Sequence, residues 1–202
     1  MLKPLVILLV LLAAQAEAAG WDKAQWGMSA PEIAAAYAGY GARAHRLQPP
    51  IEFGDSYAEV VLTDVEFAGF AFRVYFQMDK RTRRLAHVLI ERRRQYATPA
   101  IFARIVATLE DLNGPAALAC DRRDFVDRFW QGADETIKAS YLGFAGPTLD
   151  YLPDQYDDPR RSLAEQAPLQ SVSPDRRLLV RYSAATPIPK SCDVWLAPGK
   201  RK

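Results

Sequence analysis

Between Phe70 and Met78 the chain alternates strictly: Phe70, Phe72, Val74, Phe76 and Met78 interleave with Ala71, Arg73, Tyr75 and Gln77. A period of two sends the first set to one face of an extended strand and the second set to the other, so a half-buried strand is predicted. Glu59–Phe67 precedes it across an Ala68-Gly69 turn, and its pattern places Val61, Thr63, Val65 and Phe67 on one side. Leu85–Ile90 follows the polar turn Asp79-Lys80-Arg81-Thr82 and reads as a third strand. The three predict an antiparallel meander with one oily face.

Elsewhere the period lengthens. Ser29 followed three residues later by Glu32 is a capping box, Pro31 lies in the first turn, and Ile33, Ala34 and Tyr37 share a face before Gly39-Tyr40-Gly41 ends the helix. A second helix starts at Thr98-Pro99. Ile101, Phe102, Ile105, Val106, Leu109 and Leu112 give it a core-facing stripe, and Asn113-Gly114-Pro115 stops it. Strand patterns resume at Phe125–Trp130 and Thr136–Gly143, followed by a Pro- and Asp-rich passage from about Gly146 to Pro159. A closing hairpin is predicted from Leu169–Val172 and Leu178–Tyr182 around Ser173-Pro174-Asp175. The class is α+β: an antiparallel sheet packed by two helices. Helix-then-strands order occurs twice, dividing the chain into halves 21–95 and 96–196, although residue identity between them is too thin to establish a duplication.

The first residues change the picture of where the chain works. Met1-Leu2-Lys3 is a short positive start, Leu5 to Ala14 is unbroken apolar sequence, and Ala16-Glu17-Ala18 has the small-x-small form read by signal peptidase. The apolar run is about half of the roughly twenty residues that a membrane-spanning helix needs. A signal peptide over 1–18, cleaved near Ala18, is therefore expected. It would leave residues 19–202 as a single periplasmic or secreted domain without a transmembrane anchor. In an oxidising compartment the chain's 2 cysteines, Cys120 and Cys192, most simply form one disulfide.

Composition narrows the function classes. A chain of 202 residues, half of them hydrophobic, is neither disordered nor collagen-like, and 2 cysteines cannot make a four-thiolate zinc site. With 26 basic against 24 acidic residues, no overall field demands a polyanion, and nucleic acid is not an expected partner. His45 and His87 form no zinc-binding pair, and no nucleophile elbow, S-x-x-K motif, P-loop or dinucleotide fingerprint occurs. No catalytic residue, metal or cofactor is expected. Asp154, Asp157 and Asp158 lack the ordered ligand spacing of a calcium loop.

Trp26-Gly27-Met28-Ser29 with Pro31-Glu32-Ile33 resembles the opening of small exported proteobacterial proteins of unknown function. The meander Val61–Ile90 is similar to their sheet. The helix-then-sheet order also resembles the β-lactamase-inhibitor-protein-like architecture and the small outer-membrane assembly lipoproteins that share it. The resemblance implies a non-catalytic binding or assembly role in the envelope; unlike the lipoproteins, the chain has no cysteine near the cleavage region to carry a lipid.

Candidate contact residues are of two kinds. Trp130, Tyr141, Tyr151 and Tyr156 lie on or near the longest irregular passage, and Tyr and Trp are favoured anchors of binding patches. Arg83, Arg84, Arg92 and Arg93 stand at the two ends of one predicted strand, where they suit either solvated turns or an anionic envelope component. The leading expectation is a binding or envelope-assembly protein, its partner an envelope protein or an anionic envelope component. The alternatives are a proteinaceous inhibitor of an envelope or foreign enzyme and a glycan hydrolase.

Overall fold

Ser29 and Thr98 begin the two helices as their sequences require. In the computed structural model, which describes residues 20–92, 97–122, 125–144 and 175–192, the Ser29 N–H and hydroxyl both donate to Glu32 Oε2 at 2.7 Å. These bonds hold the Glu32 carboxyl below its ordinary pKa. Helix α1 runs Ala30–Ala36 and passes into a 3-10 segment, Ala38–Arg43, that bends at Gly41 with φ 57°. Helix α2, Pro99–Asn113, starts where Thr98 Oγ1 accepts from the Ile101 N–H at 3.3 Å. It ends at Gly114, whose φ of 78° suits a residue without Cβ. The expected signal peptide, residues 1–18, lies outside the described residues.

A two-stranded ribbon, β1 (Gly20–Trp21) with β2 (Ala24–Gln25), precedes α1. The other strands are β3 (Ala44–Phe53), β4 (Ser56–Phe67), β5 (Phe70–Asp79), β6 (Leu85–Arg92), β7 (Leu118–Asp121), β8 (Phe125–Gln131), β9 (Glu135–Phe144) and β10 (Asp175–Ala184). They form one antiparallel eight-stranded sheet in the order β3-β4-β5-β6-β10-β9-β8-β7. The last strands of the two halves, β6 and β10, pair at the centre. Outward from that pair each half is a meander preceded by its own helix: α1 then β3 to β6, and α2 then β7 to β10. The fold is α+β and mostly strand.

Both helices pack on one face. Ile33 and Tyr37 from the α1 end and Phe102, Ile105 and Leu109 from α2 meet Val74, Phe76, Ile90, Leu178 and Val180 from the central strands. Phe76, Ile33 and Leu109 are wholly inaccessible, and each such side chain contributes roughly 2 kcal/mol through apolar burial. Tyr37 anchors the N-terminal ribbon: its hydroxyl accepts from the Lys23 N–H at 3.1 Å and donates to the Trp21 carbonyl at 3.2 Å.

Several expectations need correction. Val61, Thr63, Val65 and Phe67 do not share a side, because β4 shifts register between Leu62 and Val65. Asp64 takes φ 54° there; an extra residue in a strand turns the following side chains to the opposite face. Val65 and Phe67 consequently pack on the helix-side core, while Val61 faces the other way. The sheet is not oily on one face alone: Ile51, Ala58, Val61, Tyr75 and Leu89 form a second apolar cluster. Leu112, assigned to the core stripe, is 70% exposed at the end of α2. Of the expected C-terminal hairpin, Leu169–Val172 and Ser173-Pro174 lie outside the described residues, and Asp175 is not a turn residue. That residue belongs to β10, and the stretch Leu178–Ser183 is hydrogen-bonded to β9 on one side and β6 on the other, so both edges are taken. The sequence reading also missed β3 and β7.

Candidate functional site

Antiparallel pairing in register lines up side chains across the sheet, and on the face away from the helices this produces three rows. Ala58, Gln77, His87, Ser183, Thr136 and Gln131 form a mainly polar row. The next, Val61, Tyr75, Leu89, Arg181, Lys138 and Phe129, passes from apolar to cationic. The third, Arg73, Glu91, Leu179, Ser140 and Asp127, is largely charged or polar. Lys138 ties the last two rows together through Asp127 Oδ2 at 3.0 Å, and its ammonium lies 5.3 Å from the centre of the Phe129 ring.

A cavity of about 830 Å³ opens in the first half of this face. Strand β3 contributes His45, Arg46, Leu47 and Ile51; β4 contributes Val61, Thr63 and Asp64; β5 contributes Phe70, Arg73 and Tyr75; β6 contributes Glu91 and Arg92. Val61 shares this face with Ala58 because β4 also shifts register between Ala58 and Val60, and it thereby joins the floor. His45 Nε2 is 3.3 Å from Thr63 Oγ1, and Arg46 is paired with Glu59 at 3.3 Å. Tyr75 packs edge-on against Phe53 at 5.7 Å. Arg92 donates to the Ala71 carbonyl at 3.0 Å and covers the Phe70 and Phe72 rings at 4.9 and 5.7 Å. The two carboxylates in the lining, Asp64 and Glu91, come from strands separated by β5, and Glu91 stands opposite Arg73 in register.

In the polar row His87 Nδ1 is 2.8 Å from Ser183 Oγ. Burial, reinforced by Arg181, pushes the His87 pKa down; Asp55 and Asp79 act in the opposite sense without reversing it. Burial likewise lowers Arg181, with Asp55 opposing. Gln77 is wholly inaccessible, and neither its Nε2 nor its Oε1 meets a hydrogen-bond partner.

The expected contact residues are scattered. Trp130 is 3% exposed and donates from Nε1 to the Gly114 carbonyl at 3.0 Å, so its ring is a core element beneath the end of α2. Tyr141, on the helix-facing side of β9, lies 6.0 Å from the Phe102 ring. Arg83 and Arg84 are exposed in the β5–β6 turn, where Arg84 is 3.4 Å from Glu32. Arg92, at the far end of β6, lines the cavity; the length of the strand, about 25 Å, separates it from that turn. Tyr151, Tyr156 and Arg93 lie outside the described residues. Sequence reasoning missed Arg73, Tyr75 and Gln77 as site residues, although their place on the second side of β5 was a signal within reach.

Cys120 and Cys192 are joined, with Cα atoms 5.5 Å apart, and no cysteine is free. The bond is compatible with an extracytoplasmic location. Among the described residues no helix is long and apolar enough to cross a membrane, and no group of three His, Cys, Asp or Glu side chains is gathered to hold a metal ion. No protein-family model, curated protein or solved structure matches this chain.

Proposed function

We propose that this chain is a non-catalytic periplasmic or secreted protein that binds an envelope partner with the face of its sheet turned away from the helices. The observation that carries the reading is the asymmetry of the sheet. Both helices pack on one side, while the other presents ordered polar and cationic rows and the 830 Å³ cavity. Concave surfaces with an apolar floor and a few convergent polar groups are the usual form of a binding site. The disulfide and the export-type leader support an oxidising compartment.

Site-specific photocrosslinking in the native envelope tests this. A benzoylphenylalanine at Thr63, on the cavity rim, is expected to trap a discrete adduct, while the same group at exposed Glu110 on α2 gives none. Equal labelling from both faces, or none from the sheet face, would remove the reading.

An inhibitor of an envelope or foreign enzyme is a second reading, favoured by the tandem helix-then-four-strands order that carries the resemblance to the β-lactamase-inhibitor-protein-like architecture. It rests on architecture alone. One-to-one capture of a single enzyme by the purified protein, with loss of that enzyme's activity, would favour it over assembly.

A further inference from the structure

We infer that Arg181, at the centre of the sheet face turned away from the helices, is the anchor of a carboxylate-binding site. The first observation is that its charge has no answer within the described fold. Arg181 is half-buried on β10, between β6 and β9, and among the described residues no hydrogen bond or ion pair holds its guanidinium. The carboxylate that it feels, Asp55 in the β3–β4 turn, acts from beyond contact distance, and burial outweighs it, so the Arg181 pKa is lowered. Glu91 is two residues along β6 from the Leu89 that faces Arg181, and it stands opposite Arg73 and Leu179 instead. A cation taken out of water without a partner is costly, and groups perturbed in this way gather at functional sites.

The second observation is the frame around it. Register sets Arg181 against Lys138 of β9, and like charges directly opposite on neighbouring strands repel. Lys138 has its own counter-ion: its ammonium reaches toward β8, 3.0 Å from Asp127 Oδ2 and 5.3 Å from the centre of the Phe129 ring. On the β6 side the neighbours are apolar, with Leu89 4% exposed and Leu179 packed in the same cluster. Along β10 the next residue on this face is Ser183, whose hydroxyl is 2.8 Å from His87 Nδ1. A charge held over apolar side chains attracts a counter-ion more strongly than one in open water. The unanswered charge is the single one of Arg181, and a carboxylate matches it, with one negative charge spread over two oxygens in the plane of the forked guanidinium donors.

Proton–nitrogen NMR of the full mature chain tests this, with the Arg181 Nε–H resonance as reporter and sodium propionate as probe. Propionate is expected to shift that resonance saturably and one to one. Propionamide, and sodium chloride at the same ionic strength, should leave it in place. Arg181→Met keeps an unbranched apolar stem without the charge and should bind propionate about tenfold more weakly. Without ligand this variant should melt no lower than the parent, because the charge it loses had no partner, and propionate should raise the melting temperature of the parent alone. Equal shifts with propionamide or chloride, undiminished propionate binding by Arg181→Met, or a variant destabilised in the absence of ligand would overturn the assignment. The parent resonance gives its answer whatever the stability of the variant. Photocrosslinking from Thr63 in the Arg181→Met background separates two sources of the carboxylate: loss of the adduct assigns it to a side chain of the envelope partner, and an unchanged adduct to a free small molecule. The inference stands apart from the docking reading. A saturable propionate shift without any Thr63 adduct keeps the site and removes the partner, and an adduct without the shift does the reverse.

Discussion

His87 on β6 and Ser183 on β10 join the two halves of the sheet through a side-chain hydrogen bond of 2.8 Å, across the one strand pair that belongs to both meanders. The bond lies at the level of Gln77, in the row where the face away from the helices is most polar. Burial and the neighbouring Arg181 keep the imidazole neutral more readily than in water.

A pH dependence follows from that depressed pKa. The unfolded chain takes up the His87 proton near its ordinary value of 6.5, whereas the folded chain takes it up only at lower pH. Between the two values the unfolded state binds more protons, so this group's contribution to stability is full above about 6.5 and is lost as pH falls through the folded value. The melting temperature should drop between pH 7.5 and pH 5, and His87→Gln should flatten that drop. An unchanged slope in the variant would show that another group drives it.

Gln77 offers a stability test of opposite sign. A buried amide with neither end bonded loses its hydration without compensation. Gln77→Met, close in volume, should raise unfolding stability by about 1–2 kcal/mol, read as a higher urea midpoint at constant slope. A lower midpoint would mean that the amide is partnered in solution.

Phe72 and Phe76 belong to the helix-facing stripe of β5 and are 3% and 0% exposed. Phe76→Ala should cost about 3–5 kcal/mol in chemical denaturation. Phe72→Asp places an unpaired charge in the same core and should abolish folding, since such a penalty rivals the whole stability of a domain. A soluble Phe72→Asp variant that melts cooperatively would overturn the face assignment.

The Cys120–Cys192 bond closes a separation of 72 residues, and loop-closure entropy gives it about 4 kcal/mol before any strain. Cys192→Ser should lower stability by up to that amount. Nonreducing peptide mapping should find neither thiol open to alkylation.

How far the fold could be read ahead depended on the element. Helix α2 and strand β5 were legible because each carries its own period and its own stop: Thr98-Pro99 and Asn113-Gly114 for the helix, alternation for the strand. Strand β3 hid behind Pro49-Pro50 and a mostly exposed edge, and β7 has only four residues, too few for a period to show. The β4 register shift had no local warning, since Asp64 is as ordinary in a straight strand's polar side as in a bulge. The cavity was illegible for a related reason. Arg73 and Tyr75 were visible on the second side of β5, but His45 and Leu47 reach them only through β3, the strand that was missed.

By themselves the residues determined the helix starts and stops, the alternation of the meander, the α+β class and the pairing of the two cysteines, because each depends on near neighbours or on having one partner of its kind. Tertiary structure alone decided that β10 lies between β6 and β9, that Val61 faces away from the helices, and that Arg92 and Arg104 share the Phe70 ring. Strand order is made by backbone N–H and carbonyl groups, which are the same at nearly every residue. Which strands meet is therefore settled only when all of them compete for the same edges.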